Sequence, residues 1–344
     1  MSHHSSDPTY PSFPIISFLG FILALIPLSW HLQAWNVGTC AFMIWTSLAC
    51  LFEFINSLVW AGNVLNPVPV WCDISSKYLL GAGVGITAST LCITRRLYRI
   101  ANIPVVSHTR QEKLRAVYCD LSVAVGIPVL VMVLHYIVQP HRFDILEGVG
   151  CYAVVYNTLP AYFLVFHWPV TLGFISFWYS AMTLWAIWKR HIQMNELMTF
   201  HGPSLRKRYS RLVAFALTNM ALTVPIGVFS IYLGTKGVKY APWVSWSDTH
   251  FDFSRVDLVP TLVWRDGDVY SRISVELTRW IFPASSIIFF AFFGFTSESW
   301  FMKKGWSRKS REGSVLPMHV QLFKTPEDDR SSLSTVGKIN LSVD

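Results

Sequence analysis

Residues 116–138 read AVYCDLSVAVGIPVLVMVLHYIV, a run with one charged side chain, Asp120, and with Arg115 just before it. A helix crosses the hydrocarbon core of a bilayer with about 20 mainly apolar residues, so this run is long enough to span. Outward from it, six more stretches meet or approach that length: 13–30, 37–61, 70–94, 160–188, 212–233 and 273–295. Together the seven hold only six charged residues, Glu53, Asp73, Lys77, Asp120, Glu276 and Arg279. The fold class they define is all-α, a seven-transmembrane-helix bundle.

Composition points the same way. Of 344 residues, 52% are hydrophobic and 14% are charged, against about a quarter charged in an ordinary soluble domain. An apolar surplus of that size does not fit inside one water-facing globule; intrinsic disorder and coiled coil are excluded with it. The 15 Trp, 24 Phe and 13 Tyr suit apolar packing and the headgroup level of a bilayer. The net charge of +8 sits in separate clusters between apolar runs rather than on one basic face. The expected partner is therefore the lipid bilayer and not nucleic acid.

Those clusters orient the chain, because Lys and Arg concentrate in cytoplasmic connections. Six lie in 95–115, six in 189–211, and the segment after the last run opens with Lys303, Lys304, Arg308, Lys309 and Arg311. On the other side, 139–159 carries Arg142 alone, and 234–272 carries five cations balanced by five Asp. Residues 1–12 are thus expected as a short extracellular N-terminus, 13–295 as the bundle and 296–344 as a cytoplasmic tail. In the tail, Trp300, Phe301 and Trp306 among Lys303 and Lys304 suit a short interfacial helix, followed by a Ser-rich segment expected to be disordered. No positively charged segment precedes the first apolar run, so no cleaved signal peptide is expected. Pro27, Pro128, Pro169, Pro225 and Pro283 fall inside the runs and invite kinks. No internal repeat of the kind common in transporters is visible.

A charge at the centre of a membrane helix costs roughly 2.5–3.5 kcal/mol on insertion scales and tends to mark function. In this orientation Glu53, Lys77, Glu276 and Arg279 fall in the outer half of the bundle, with Asn56, His135 and His167 at similar depth. They outline an outward-opening polar pocket, for which Glu53, Asn56, Lys77, His167, Glu276 and Arg279 are the candidate ligand-binding residues. The structural alternative is that Glu53–Lys77 and Glu276–Arg279 are buried pairs that fix helix packing. Cys72 and Cys151 both face the oxidising side, and a disulfide between them would tie an outer loop over the bundle mouth. On the inner side Arg95, Arg96, Arg206, Lys207, Arg208 and Arg211 attract anionic lipid and offer a docking face to an acidic or helical cytoplasmic partner.

Other signals are negative. Gly81-Ala82-Gly83-Val84-Gly85 follows no strand, so it reads as close helix packing rather than a dinucleotide fingerprint. Arg265-Asp266-Gly267-Asp268 lacks the remaining positions of a Ca²⁺ loop and reads as a turn. Asp120 has no second intramembrane Asp at comparable depth in a facing span, which speaks against a protease dyad. The six Cys contain no C-x-x-C pair, and no catalytic motif, metal-ligand set or cofactor site is expected.

The run Val70-Trp71-Cys72-Asp73-Ile74-Ser75-Ser76-Lys77 followed by Cys92-Ile93-Thr94-Arg95-Arg96-Leu97-Tyr98 resembles the third helix of the fungal mating-pheromone receptors of the a-factor, lipopeptide type. Phe52-Glu53-Phe54-Ile55-Asn56, Tyr136-Ile137-Val138-Gln139-Pro140-His141-Arg142-Phe143, Gly150-Cys151-Tyr152, Pro160-Ala161-Tyr162 and Phe292-Phe293-Gly294-Phe295 extend the resemblance over residues 13–300. The wording is most similar to the receptors of mushroom-forming basidiomycetes. The resemblance implies a class D G-protein-coupled receptor at the plasma membrane. Its ligand would be a peptide with a farnesylated, carboxymethylated C-terminal Cys, and its partner a heterotrimeric G protein that starts the mating response. Thr94-Arg95-Arg96 stands where rhodopsin-like receptors have Asp-Arg-Tyr, and span seven has no Asn-Pro-x-x-Tyr. The activation switch is therefore unassigned, and homo-dimer formation is left open. The competing readings are a secondary transporter with Glu53, Lys77 and Glu276 as a relay, and an intramembrane enzyme.

Overall fold

A computed structural model describes residues 8–33, 35–102, 110–193, 240–267 and 269–294, and between them 213–215, 217–218, 221, 225–229, 231–232 and 236. The helices described over their full range are α1 (Ser12–Leu25), α2 (Leu28–Gln33), α3 (Val37–Val59), α4 (Pro69–Asn102), α5 (Arg110–Leu121), α6 (Ile127–His135), α7 (Leu159–Ala161), α8 (His167–Gln193), α9 (Trp246–Thr249), α10 (Thr261–Trp264) and α11 (Val269–Phe293). Arg206, Lys207, Arg208, Arg211 and the tail 296–344 lie outside the described residues.

Proline chemistry explains where the expected helices break. The helix expected over 13–30 ends at Leu25 and restarts at Leu28, because Pro27 has no N–H and its ring crowds the preceding turn. Two π-helical turns, Ser122–Gly126 and Tyr162–Phe166, stand just before Pro128 and Pro169. Pro128 gives no N–H to the carbonyl of Ala124, four residues back. The Trp45 indole on α3 donates to that oxygen instead, at 2.9 Å.

α3 packs against α1, α4 and α11. The α3–α4 approach is close because α4 presents glycine: a Cβ on Gly85 would lie 2.6 Å from the Trp45 ring, and one on Gly38 of α3 would lie 2.8 Å from Cys92. Phe42, Phe215, Phe289 and Phe293 form an aromatic knot with neighbouring ring centroids 4.7–5.5 Å apart, each such pair adding about 0.5–1.5 kcal/mol beyond its buried area.

Among the described residues four stretches are long and apolar enough to cross a membrane: Val37–Val59, Arg110–Val138, Leu159–Ala186 and Val269–Phe293. In the second and third most side chains are not buried inside the protein, which suits contact with lipid rather than water. Ser12–Leu25 is apolar but shorter. α4 is longest at 34 residues, and it buries a polar stripe that includes Ser75, Ser76, Thr87, Ser89, Thr90 and Thr94.

The all-α expectation needs one correction. Phe143–Leu146 (β1), Gly150–Tyr152 (β2) and Val256–Val259 (β3) form a sheet in the order β2-β1-β3, antiparallel between β1 and β2 and parallel between β1 and β3. Gly148 and Gly150 sit at φ 80° and 95°, a region that favours glycine, and let the chain turn tightly. The strands are three or four residues long, too short for an alternating pattern to register, and β3 finds its partner more than a hundred residues away.

Candidate functional site

Two polar clusters occupy the end of the bundle that carries the sheet. In the first, Lys77 on α4 is half-buried and does not meet Glu53. Its Nζ lies 2.6 Å from His135 Nδ1 and donates to Gln139 Oε1 at 2.6 Å. The expected Glu53–Lys77 pair is absent because Lys77 projects from α4 toward α6 and the segment after it. His135, fully buried, reaches the carbonyl of Val154 at 2.9 Å through Nε2, and Gln139 Nε2 donates to the carbonyl of Arg142 at 2.6 Å.

The second cluster joins α3, α10, α11 and the N-terminal segment. Glu53 is 5% exposed, and the charges that act on it are Arg279 and Glu276. Glu276 is ion-paired with Arg265 and accepts from Trp280 Nε1 at 3.2 Å. Arg279 lies 3.6 Å from Glu276, donates to Thr9 Oγ1 at 3.0 Å and stacks on the Phe13 ring at 3.8 Å. The Glu276–Arg279 contact thus exists, but Arg265 makes the closer one. Pro8, Thr9, Arg265, Arg272, Ile273, Glu276 and Leu277 line a pocket of about 390 Å³ there.

Asn56 stands between the clusters. It is buried, accepts from Trp71 Nε1 at 2.8 Å and presses on Gly150, where a Cβ would come within 2.7 Å. His167 begins α8 with its ring 4.7 Å from Trp168; among the described residues no hydrogen bond joins it to the other candidates. Beside Glu53, the Tyr152 phenol of β2 is pushed up to about 12 by burial and then by the Glu53 and Asp144 carboxylates, so it stays a neutral O–H. The residues missed from sequence are His135 as a partner of Lys77, together with Gln139, Arg265 and Thr9. Three of the four lie in loops, where no helical periodicity predicts who meets whom.

The sheet is clamped over these clusters. Cys72 at the start of α4 is disulfide-bonded to Cys151 of β2, with Cα atoms 5.1 Å apart. Next to it Asp73 accepts twice from Arg142, at 2.8 and 2.5 Å, and Arg142 is raised further above its ordinary range by that hydrogen bond. His141 lies 2.6 Å from Asp144 and 3.5 Å from Asp257, while Arg255 reaches His141 Nδ1 at 3.1 Å and Asp257 at 2.9 Å. A guanidinium on Nδ1 marks this group as an ion-pair network joining β1 and β3 rather than a cation site.

At the opposite end, Arg95 pairs with Asp120 at 2.6 Å and donates to Cys119 Sγ at 3.0 Å. Arg96 donates to the carbonyl of Trp35 at 2.8 Å. Two of the cations expected to face a cytoplasmic partner are therefore engaged within the bundle.

A mostly helical chain with several helices long and apolar enough to cross a membrane, a disulfide-tied sheet over polar clusters at one end and cations at the other has the build of a multi-pass membrane protein. The chain matches the pheromone A receptor family over residues 12–311. It is 48% identical to the Pheromone B alpha 3 receptor of Schizophyllum commune over 293 residues, 85% of this chain and 47% of that protein. With Pheromone receptor 1 of Mycosarcoma maydis it shares 30% over 282 residues, 82% and 79% of the two chains. With the Pheromone a factor receptor of Saccharomyces cerevisiae it shares 22% over 319 residues, 92% and 65%. The chain belongs to the pheromone A receptor family. It spans about half the length of the Schizophyllum relatives it matches.

Proposed function

We propose that the chain is a G-protein-coupled receptor for a farnesylated peptide mating pheromone. It threads the plasma membrane seven times, with residues 1–12 outside and 296–344 in the cytoplasm, and it activates a heterotrimeric G protein. The observation that carries the reading is the family match over residues 12–311, whose members named above are receptors for pheromones. In this reading Glu53, Asn56, Lys77, His167, Glu276 and Arg279 contact the peptide, and the Cys72–Cys151 bridge holds the loop that covers them. The prenyl chain gains about 0.8 kcal/mol per buried CH₂. Since the bilayer already solvates it, it raises local concentration, and the polar groups and outer loops set specificity. A ligand that prefers one bundle arrangement shifts the population toward it, and Arg95, Arg96, Arg206, Lys207, Arg208 and Arg211 then meet the G protein.

The test is expression in a yeast lacking its own receptor, challenged with a panel of prenylated peptides and read by a G-protein reporter. A response to one prenylated peptide, lost when the prenyl group is removed, is the expected result. Silence to the whole panel at normal surface expression contradicts the proposal.

A further inference from the structure

Lys77 carries a charge that its own surroundings leave without a counter-ion. The carbonyl of Val154 can only accept, so His135 Nε2 bears the proton, and the lone pair of Nδ1 faces the Lys77 ammonium at 2.6 Å. His135 is thus a neutral acceptor. Gln139 Oε1, turned toward Lys77 by the bond from Gln139 Nε2 to Arg142, is a second neutral acceptor. Among the described residues the acidic group acting on Lys77 is Asp73, a turn earlier on α4, and both its oxygens accept from Arg142. The charges that act on Glu53 are Arg279 and Glu276, not Lys77. An ammonium has three N–H donors. Two are taken by neutral groups, and the third has no hydrogen-bond acceptor among the described residues. The Tyr136 ring stands 6.0 Å away.

Lys77 is half-buried, and a charge partly withdrawn from water gains from a partner of opposite sign more than an exposed one does. From this geometry we infer that Lys77 receives a carboxylate of the peptide ligand on its third donor, with His135 and Gln139 as positioning residues that aim the ammonium. The inference rests on the receptor reading above and adds the chemistry of one contact. Because the proposed ligand has an esterified C-terminus, the carboxylate belongs to an Asp or Glu side chain. A charge-assisted N–H to carboxylate bond is short and about twice as strong as a neutral one.

The experiment uses the full chain in the reporter yeast and a peptide that activates it. Each Asp or Glu of that peptide is replaced by Asn or Gln, and the C-terminus is supplied both as methyl ester and as free acid. One acidic replacement is expected to lower potency about 10-fold on the unaltered receptor, because the amide oxygen still accepts but no longer carries the carboxylate's charge. On Lys77→Met it should cost nothing further. Gln139→Glu offers an internal carboxylate to the ammonium, so it should weaken the acidic peptide and spare the amide version. If only the free-acid C-terminus responds to Lys77→Met, the side-chain assignment is overturned. An activating peptide with neither Asp nor Glu, or an equal loss for acidic and amide peptides on both variants, overturns the contact itself. The unaltered receptor still signals in those cases, which separates them from failure of the receptor reading, where it is silent to every peptide.

Discussion

Arg95 and Asp120 show how much rests on single pairs. Their side chains are 25% and 11% exposed, so removing one charge strands the other in a region that water reaches poorly. Asp120→Asn is expected to cost about 2 kcal/mol, within the range for a hydrogen bond to a charged group. The measure is a lower thermal unfolding midpoint of the detergent-solubilised protein; an unchanged midpoint would show that the pair adds no stability. Gly85 and Gly83 make a sharper contrast. A Cβ on Gly85 runs into the Trp45 ring, whereas one on Gly83 meets nothing within 4 Å. Gly85→Val should therefore destabilise by about 1–3 kcal/mol through overpacking. Gly83→Ala should be neutral or stabilise by up to about 1 kcal/mol through helix propensity, and equal losses at both sites would refute the packing argument. The unusual groups were legible in the sequence because a charge in an apolar run stands out. Their partners were not. Glu53 and Lys77 each fit an outer pocket, but the rotation of α3 and α4 about their axes turns one toward α11 and the other toward His135.

At the level of elements, the sheet and its clamps decide how the polar end is covered. Cys72 and Cys151 are separated by 79 residues, and a native disulfide closing such a loop contributes about 2–5 kcal/mol. Cys72→Ser with Cys151→Ser is expected to lower thermal stability by that order and to reduce surface expression. The double variant should not fall below either single one, since one bond is lost in each case. A double variant as stable as the parent would mean that the Asp73–Arg142 pair and the β1–β3 ladder suffice. The long helices were legible because hydrophobicity is recorded residue by residue along the chain. The sheet was not, because its parallel pairing joins Phe143–Leu146 to Val256–Val259, and no local pattern encodes a partner at that distance. The prolines announced disturbance without its form: Pro27 splits a helix, whereas Pro128 and Pro169 follow π-helical turns.

On the scale of the whole molecule, the family was readable from short segments spread over the chain, and the match over residues 12–311 agrees with them. What the proposal adds is a direction: a pheromone-facing side that carries the sheet and a cytoplasmic side that carries the cations. The direct measurement is the accessibility of epitope tags on the two ends of the chain in intact and permeabilised cells. An antibody should reach the tag before residue 1 on intact cells and the tag after residue 344 only once the membrane is opened. Two tags exposed on the same side would give an even number of crossings and contradict the receptor account.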